Sequence, residues 1–172
     1  MTSRVTRGRK GEADAADEIE TLYLELLRSF YEEEDRERAR TVAERLEAAL
    51  AERPDFAESI RAEEVRSLIA ELRGDLNEAV QRRESEIDKI RQLHSLALNK
   101  PGQDYVFRQY DFSDLSDRLD ILATLHAEQG NLERAVELLH ESRQFCESHH
   151  VPFDGQDLLD EYEEARRDRS VE

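Results

Sequence analysis

The sequence predicts an all-α protein built from antiparallel helix-turn-helix pairs stacked side by side, and three observations predict it. Ala, Leu, Glu and Arg dominate a chain of 172 residues that has six Gly, three Pro and no Trp, a composition of strong helix formers with few breakers. Apolar residues recur at helical spacing through long segments. Two segments agree position by position at a constant offset: Tyr23, Leu26, Leu27, Phe30, Ala39 and Ala43 are matched by Leu119, Leu122, Ala123, His126, Ala135 and Leu139. Such similarity marks units that cannot bury their apolar faces alone and that stack on neighbours.

The pattern divides the chain into a flexible N-terminal tail over 1–16 and a single helical-repeat domain over 17–172. Asp17 to Glu33 forms the first helix, with Ile19, Leu22, Tyr23, Leu26, Leu27 and Phe30 on one stripe. The acidic run Glu32 to Asp35 turns the chain into a second helix, Arg36 to Glu52, carrying Ala39, Val42, Ala43, Leu46, Ala49 and Leu50, and Pro54-Asp55 closes this hairpin of 17–53. The second hairpin, 57–98, pairs a helix bearing Ile60, Val65, Leu68, Ile69 and Leu72 with a longer one bearing Ala79, Val80, Ile87, Ile90, Leu93, Leu96 and Ala97, across the turn Gly74-Asp75. Residues 99–113 make a connection longer than compact helical folds need. Tyr105, Phe107, Tyr110 and Phe112 lie within eight residues of it, so it packs against something: the wedge between hairpins, or a ligand at the border of a groove. The third hairpin, 114–149, is capped by Ser113 or Ser116 and turns at Gly130-Asn131. Val151-Pro152-Phe153-Asp154-Gly155 breaks it, and a half-polar helix over about 157–168 with Leu158, Leu159, Tyr162 and Ala165 inward suits the cap that a stacked array needs at its open end.

The third hairpin resembles the tetratricopeptide repeat. Leu119-x-x-Leu122-Ala123-x-x-His126 stands at the spacing of that family's W-x-x-L-G-x-x-Y signature, and Gly130-Asn131 with Ala135-x-x-x-Leu139 occupies its turn and second-helix positions. The first hairpin resembles it more weakly, with Glu34 where the turn glycine is expected, and the middle one carries Arg83 where a bulky apolar residue is expected. Ala39, Ala79 and Ala135 would be the close crossings of the paired helices. The resemblance implies a short right-handed α-solenoid of the tetratricopeptide type. It also implies a non-enzymatic adaptor or scaffold that holds a protein or peptide in a concave groove lined by the first helix of each pair. Tyr23, Phe30, Tyr105, Tyr110 and His126 are the candidate partner-binding residues. The carboxylate-holding lysine clamp of some family members is not implied, because the only lysines are Lys10, Lys89 and Lys100.

The formal charge of −17 repels phosphate backbones and anionic lipid, which excludes nucleic acid and membrane surfaces as partners and favours a segment of net positive charge. Residues 1–10 carry Arg4, Arg7, Arg9 and Lys10 and no acid, whereas 11–60 hold 16 acids against 6 bases. Cys146 stands alone, so no intramolecular disulfide forms and the cytoplasm is the expected compartment. The apolar cluster from Ile19 to Leu27 is too short and too charged for a signal peptide or membrane span. Homo-oligomerisation stays open.

No cofactor, metal or catalytic constellation is expected. Glu137-x-x-His140 and Glu147-x-x-His150 match the half-motif of ferritin-like metal bundles, the alternative reading of the chain, but both lie on one helix, whereas a di-metal site draws them from different helices. Cys146, His149 and His150 read as a buried thiol and two exposed histidines closing a helix. Arg82, Arg83, Lys89 and Arg91 alternate with Glu78, Glu84, Glu86 and Asp88, which reads as a solvated, salt-bridged face.

Overall fold

Helical periodicity becomes helix throughout the parts of the chain that the computed structural model describes, residues 18–53, 59–99 and 112–169. Among these there are seven helices and no strand. They are α1 over 18–27, which widens into a π turn at Arg28–Glu32, then α2 (Arg36–Ala51), α3 (Ile60–Arg73), α4 (Leu76–Asn99), α5 (Phe112–Glu128), α6 (Leu132–His149) and α7 (Gln156–Arg169). No described helix is long and apolar enough to cross a membrane. The tail over 1–16, and Tyr105, Phe107 and Tyr110 of the aromatic connection, lie outside the described residues, while Phe112 opens α5. The chain divides into two compact units, Met1–Asp75 and Leu76–Glu172, with the boundary at the turn of the hairpin expected over 57–98.

In the first unit, Leu22, Tyr23 and Leu26 of α1, Ala39, Val42, Leu46 and Leu50 of α2, and Val65, Leu68 and Leu72 of α3 form one buried cluster. Each fully buried leucine of this kind contributes about 1.5–3 kcal/mol. The helix ends are closed by side chains: Asp35 Oδ1 accepts from Arg38 N at 3.0 Å, Ser59 Oγ accepts from Ala62 N at 3.0 Å, and the Arg40 guanidinium donates twice to Leu72 O at the end of α3. Caps of the first type stabilise by about 1 kcal/mol each. Glu34, at the position where a turn glycine was expected, takes the left-handed conformation anyway, at φ 51°. A β-carbon there costs about 1–2 kcal/mol. Asp35 N donates to Ser29 O at 2.9 Å and Ser29 is fully buried, which ties the widened turn to the core.

In the second unit, α4 and α5 run antiparallel, joined by Asn77 to Gln129 at one end and Glu86 to Arg118 further along. α5 and α6 form the closest pair, antiparallel across Ser116 and Ser142. Gly130, at φ 82°, makes their turn: its N–H donates to Ala127 O, and that of Asn131 to His126 O, each at 2.8 Å. Asn131 Oδ1 then caps α6 by accepting from Arg134 N. Ala135 is fully buried just beyond. α7 packs on α6 through Leu159 and Tyr162, with Leu158 and Ala165 half-buried, and Arg169 donates to Gly130 O at 3.1 Å.

One expectation for α4 is corrected. Arg82 pairs with Glu78 on a partly exposed face as the spacing suggested, but Arg83 is 1% exposed and Glu86 fully buried. Arg83 NH1 donates to Glu86 Oε2 at 2.6 Å, and Arg118 Nε donates to Glu86 Oε1 at 2.6 Å. A single carboxylate shared by two guanidiniums satisfies its lone pairs without water, which is why Arg83 and Glu86 lie in the interior while the other charges of the stretch stay on the solvated face.

Candidate functional site

Three helix faces of the second unit converge on a cleft of about 300 Å3. On α4, Glu84, Ile87, Asp88 and Arg91 follow the spacing i, i+3, i+4, i+7 that puts them on one stripe. α5 supplies Leu119 and Leu122, and α6 supplies Arg134 and Leu138. Ile87, Leu119, Leu122 and Leu138 are each at most 2% exposed and make an apolar floor, while the four charged side chains stand round it.

Most of those charges are already matched. Arg91 pairs with Asp88 at 3.4 Å and with Glu141, and Arg134 pairs with Glu137 at 3.0 Å. Among the described residues Glu84 faces His126, with Oε1 4.0 Å from Nε2, too far for a hydrogen bond. His126 lies one turn along α5 from Leu122 and is 8% exposed, and neither of its ring nitrogens has a hydrogen-bond partner. Burial pushes its pKa below the ordinary histidine value, with Glu84 opposing and Arg134 adding to the shift. The imidazole is therefore neutral at neutral pH, with one nitrogen able to accept. Chemically, the cleft offers an apolar floor rimmed by paired charges and the Glu84 carboxylate.

A cleft of similar size in the first unit, about 290 Å3, lies between α2 and α3 and is lined by Arg40, Ala43, Glu44, Ile69, Leu72 and Arg73. Its cations are engaged, Arg40 with Leu72 O and Arg73 with Glu47 at 2.8 Å.

A polar seam crosses the α5–α6 contact. Ser116 Oγ is 2.8 Å from Ser142 Oγ and accepts from Cys146 Sγ at 3.1 Å, and all three residues are buried. One turn along, burial pushes the Asp120 carboxyl from an ordinary 3.8 up to about 6, opposed by a hydrogen bond from Ser142 and assisted by the charges of Asp117 and Asp154. Between those two pH values the folded chain holds this proton more tightly than the unfolded chain, so stability falls as pH rises through the window. At full burial the rise would correspond to about 3 kcal/mol, which partial exposure screens to roughly 1–2 kcal/mol. Asp120→Asn, which keeps the shape without the charge, is expected to raise the urea midpoint at pH 7.5 and to leave it nearly unchanged at pH 4. A gain of equal size at both pH values would refute the assignment.

Of the side chains proposed from sequence, Tyr23, Phe30 and His126 fall within the described residues. Tyr23 is a core residue, 7% exposed, with its hydroxyl donating to Glu64 Oε2 at 2.8 Å and Arg61 over its ring. Phe30 is half-buried against the same core, edge-on to Tyr31 and under Arg36. His126 is buried with Nε2 4.0 Å from Glu84 Oε1, and Tyr105 and Tyr110 lie outside the described residues. Among the described residues the exposed large apolar side chains are Leu24 and Tyr31, seven residues apart on α1 and its π turn. In the sequence the cleft residues of α4 read as core, Ile87, and as part of a salt-bridged face, Glu84, Asp88 and Arg91. Their signal is the apolar Ile87 set among Glu84, Asp88 and Arg91 at one-face spacing, which reads as solvated until neighbouring helices enclose it.

The residues of the metal reading are held apart. Glu137 pairs with Arg134, and His140 Nε2 is 3.0 Å from Glu163 Oε1 on α7. His149 Nδ1 is 2.9 Å from Phe145 O, which requires that nitrogen to carry the proton, and His150 is an exposed left-handed helix terminus. Among the described residues no group of three His, Cys, Asp or Glu side chains is placed to hold a metal ion. Comparisons with protein-family models, with curated proteins and with solved structures give no match.

Proposed function

We propose that the chain is a non-enzymatic protein-interaction module, a divergent tetratricopeptide-like array of helix pairs following a right-handed solenoid path. Its partner is a protein or peptide segment of net positive charge. The observation that carries this reading is recurrence at the turns. Glu34-Asp35, Gly74-Asp75 and Gly130-Asn131 each begin with a left-handed residue. Five residues beyond each left-handed residue comes an alanine, Ala39, Ala79 or Ala135, that is fully buried. Small residues at a fixed distance from each turn let adjacent helices approach closely, and repeated units of this kind generate extended binding surfaces. The net charge of −17 selects against nucleic acid and anionic lipid and for a cationic partner. A lone, buried Cys146 suits a reducing compartment such as the cytoplasm.

The test is to present the intact protein with matched peptide sets, one rich in Lys and Arg and one rich in Asp and Glu, and to follow association by stopped flow as salt is raised. Cationic peptides should bind in preference, and their association should slow several-fold between low and physiological ionic strength because screening shortens the range of attraction. Equal binding of both sets, or rates indifferent to salt, would overturn the proposal.

A further inference from the structure

We propose that α7 is a proton-operated cap: the Asp120 carboxyl beneath the 151–155 segment and the His140–Glu163 bridge hold it on α5 and α6 while Asp120 and His140 are protonated, and loss of those protons lets it lift. The device does not depend on what the chain binds. It governs exposure of the α6 face that Leu159 and Tyr162 cover.

Protonation decides two of the contacts that join the cap to its unit. The first is where the 151–155 segment meets α5. Gly155 is buried at the start of α7, with its carbonyl accepting from Leu159 N at 3.0 Å. A β-carbon at Gly155 would lie 2.8 Å from Asp120 Oδ2 and 2.8 Å from the Phe153 ring, so the backbone itself lies against the carboxyl with no room for a side chain between them. Asp120 Oδ1 is sealed there without a hydrogen-bond partner. A protonated carboxyl tolerates such a place, whereas an ionised one becomes a desolvated charge. The groups that face it do not offset that charge: Asp117 on α5 and Asp154 on the segment are both acidic, and α6 contributes the neutral hydroxyl of Ser142.

The second contact lies further along the cap, where His140 Nε2 of α6 is 3.0 Å from Glu163 Oε1 of α7. With a protonated imidazole this is a charge-assisted bond, about twice as strong as the neutral hydrogen bond that replaces it on deprotonation. The neighbouring acids on the same helix, Glu137 and Glu141, are engaged by Arg134 and Arg91, so Glu163 is the carboxylate left to His140. Both contacts act with one sign. The Asp120 contribution is fully present below the ordinary 3.8 and is lost as pH rises through about 6, and the His140 ion pair is likewise lost with its proton. Leu159 and Tyr162 remain as apolar anchors, so the cap opens more often at higher pH rather than leaving α6 altogether.

The experiment follows hydrogen exchange of the intact protein by mass spectrometry at pH 5.0 and 7.5, each rate referred to the intrinsic rate at that pH, with α5 as the internal reference. Opening of α7 relative to α5 is expected to increase about fivefold from the lower to the higher pH. An increase of less than about twofold would overturn the proposal. So would α5 opening in step with α7, because the whole unit would then be responding rather than its cap. Asp120→Asn, neutral at both pH values, should cut the increase by more than half, and Asp120→Asn combined with His140→Gln should abolish it. The full increase persisting in Asp120→Asn would place the response elsewhere and would equally overturn the cap.

Discussion

Glu86→Ala is expected to cost about 3–5 kcal/mol of stability, the typical cost of breaking a buried ion pair from one side. Glu86 is fully buried and its two carboxylate oxygens accept from Arg83 and Arg118, each at 2.6 Å. Truncation removes both bonds and leaves the Arg83 guanidinium, 1% exposed, beside a cavity without its closest counter-charge. The penalty comes from the stranded cation more than from the lost attraction, because desolvation of two charges offsets most of what their pairing returns. The double variant Arg83→Met with Glu86→Leu should therefore be less destabilised than Glu86→Ala alone. Urea denaturation of the three proteins checks the order. A Glu86→Ala loss below about 1 kcal/mol would mean that the cluster behaves as a surface ion pair.

Ala135→Leu is expected to cost about 1–3 kcal/mol by overpacking. Ala135 is fully buried in the first turn of α6, and its amide is held by Asn131 O at 3.1 Å, so the backbone there has little room to retreat. Three further side-chain carbons would have to push α5 and α6 apart or adopt a strained rotamer. Glu133→Leu, on the exposed face of the same turn, is the control and should move the midpoint by no more than about 0.5 kcal/mol. An unchanged midpoint in Ala135→Leu would show that α5 and α6 do not approach closely at this residue.

The elements themselves were legible in the residues, because they depend on local interactions. The apolar stripes of α1, α2 and α3, the turns at Gly74 and Gly130, and the buried alanines each follow from spacing or from one residue's φ preference, and such preferences act over a few residues of chain. Glu34 stands out in the sequence as the odd residue at a glycine position, though only the fold reveals that it adopts the left-handed conformation regardless. Polar residues behave differently. Arg83, Glu86 and Arg118 look like solvated helix charges one by one, and they become interior because residues 32 positions apart meet across α4 and α5. Tyr23 looks like a ring available to a ligand until Glu64, 41 residues away, takes its hydroxyl. The same holds for the cleft, where Glu84, Leu122 and Arg134 belong to three different helices. The sequence by itself determined which segments are helical, where they turn and which faces are apolar. Only the tertiary structure decided which charges are buried and which carboxylate is left unmatched, since the energy of a polar group is set by what surrounds it once water has been removed.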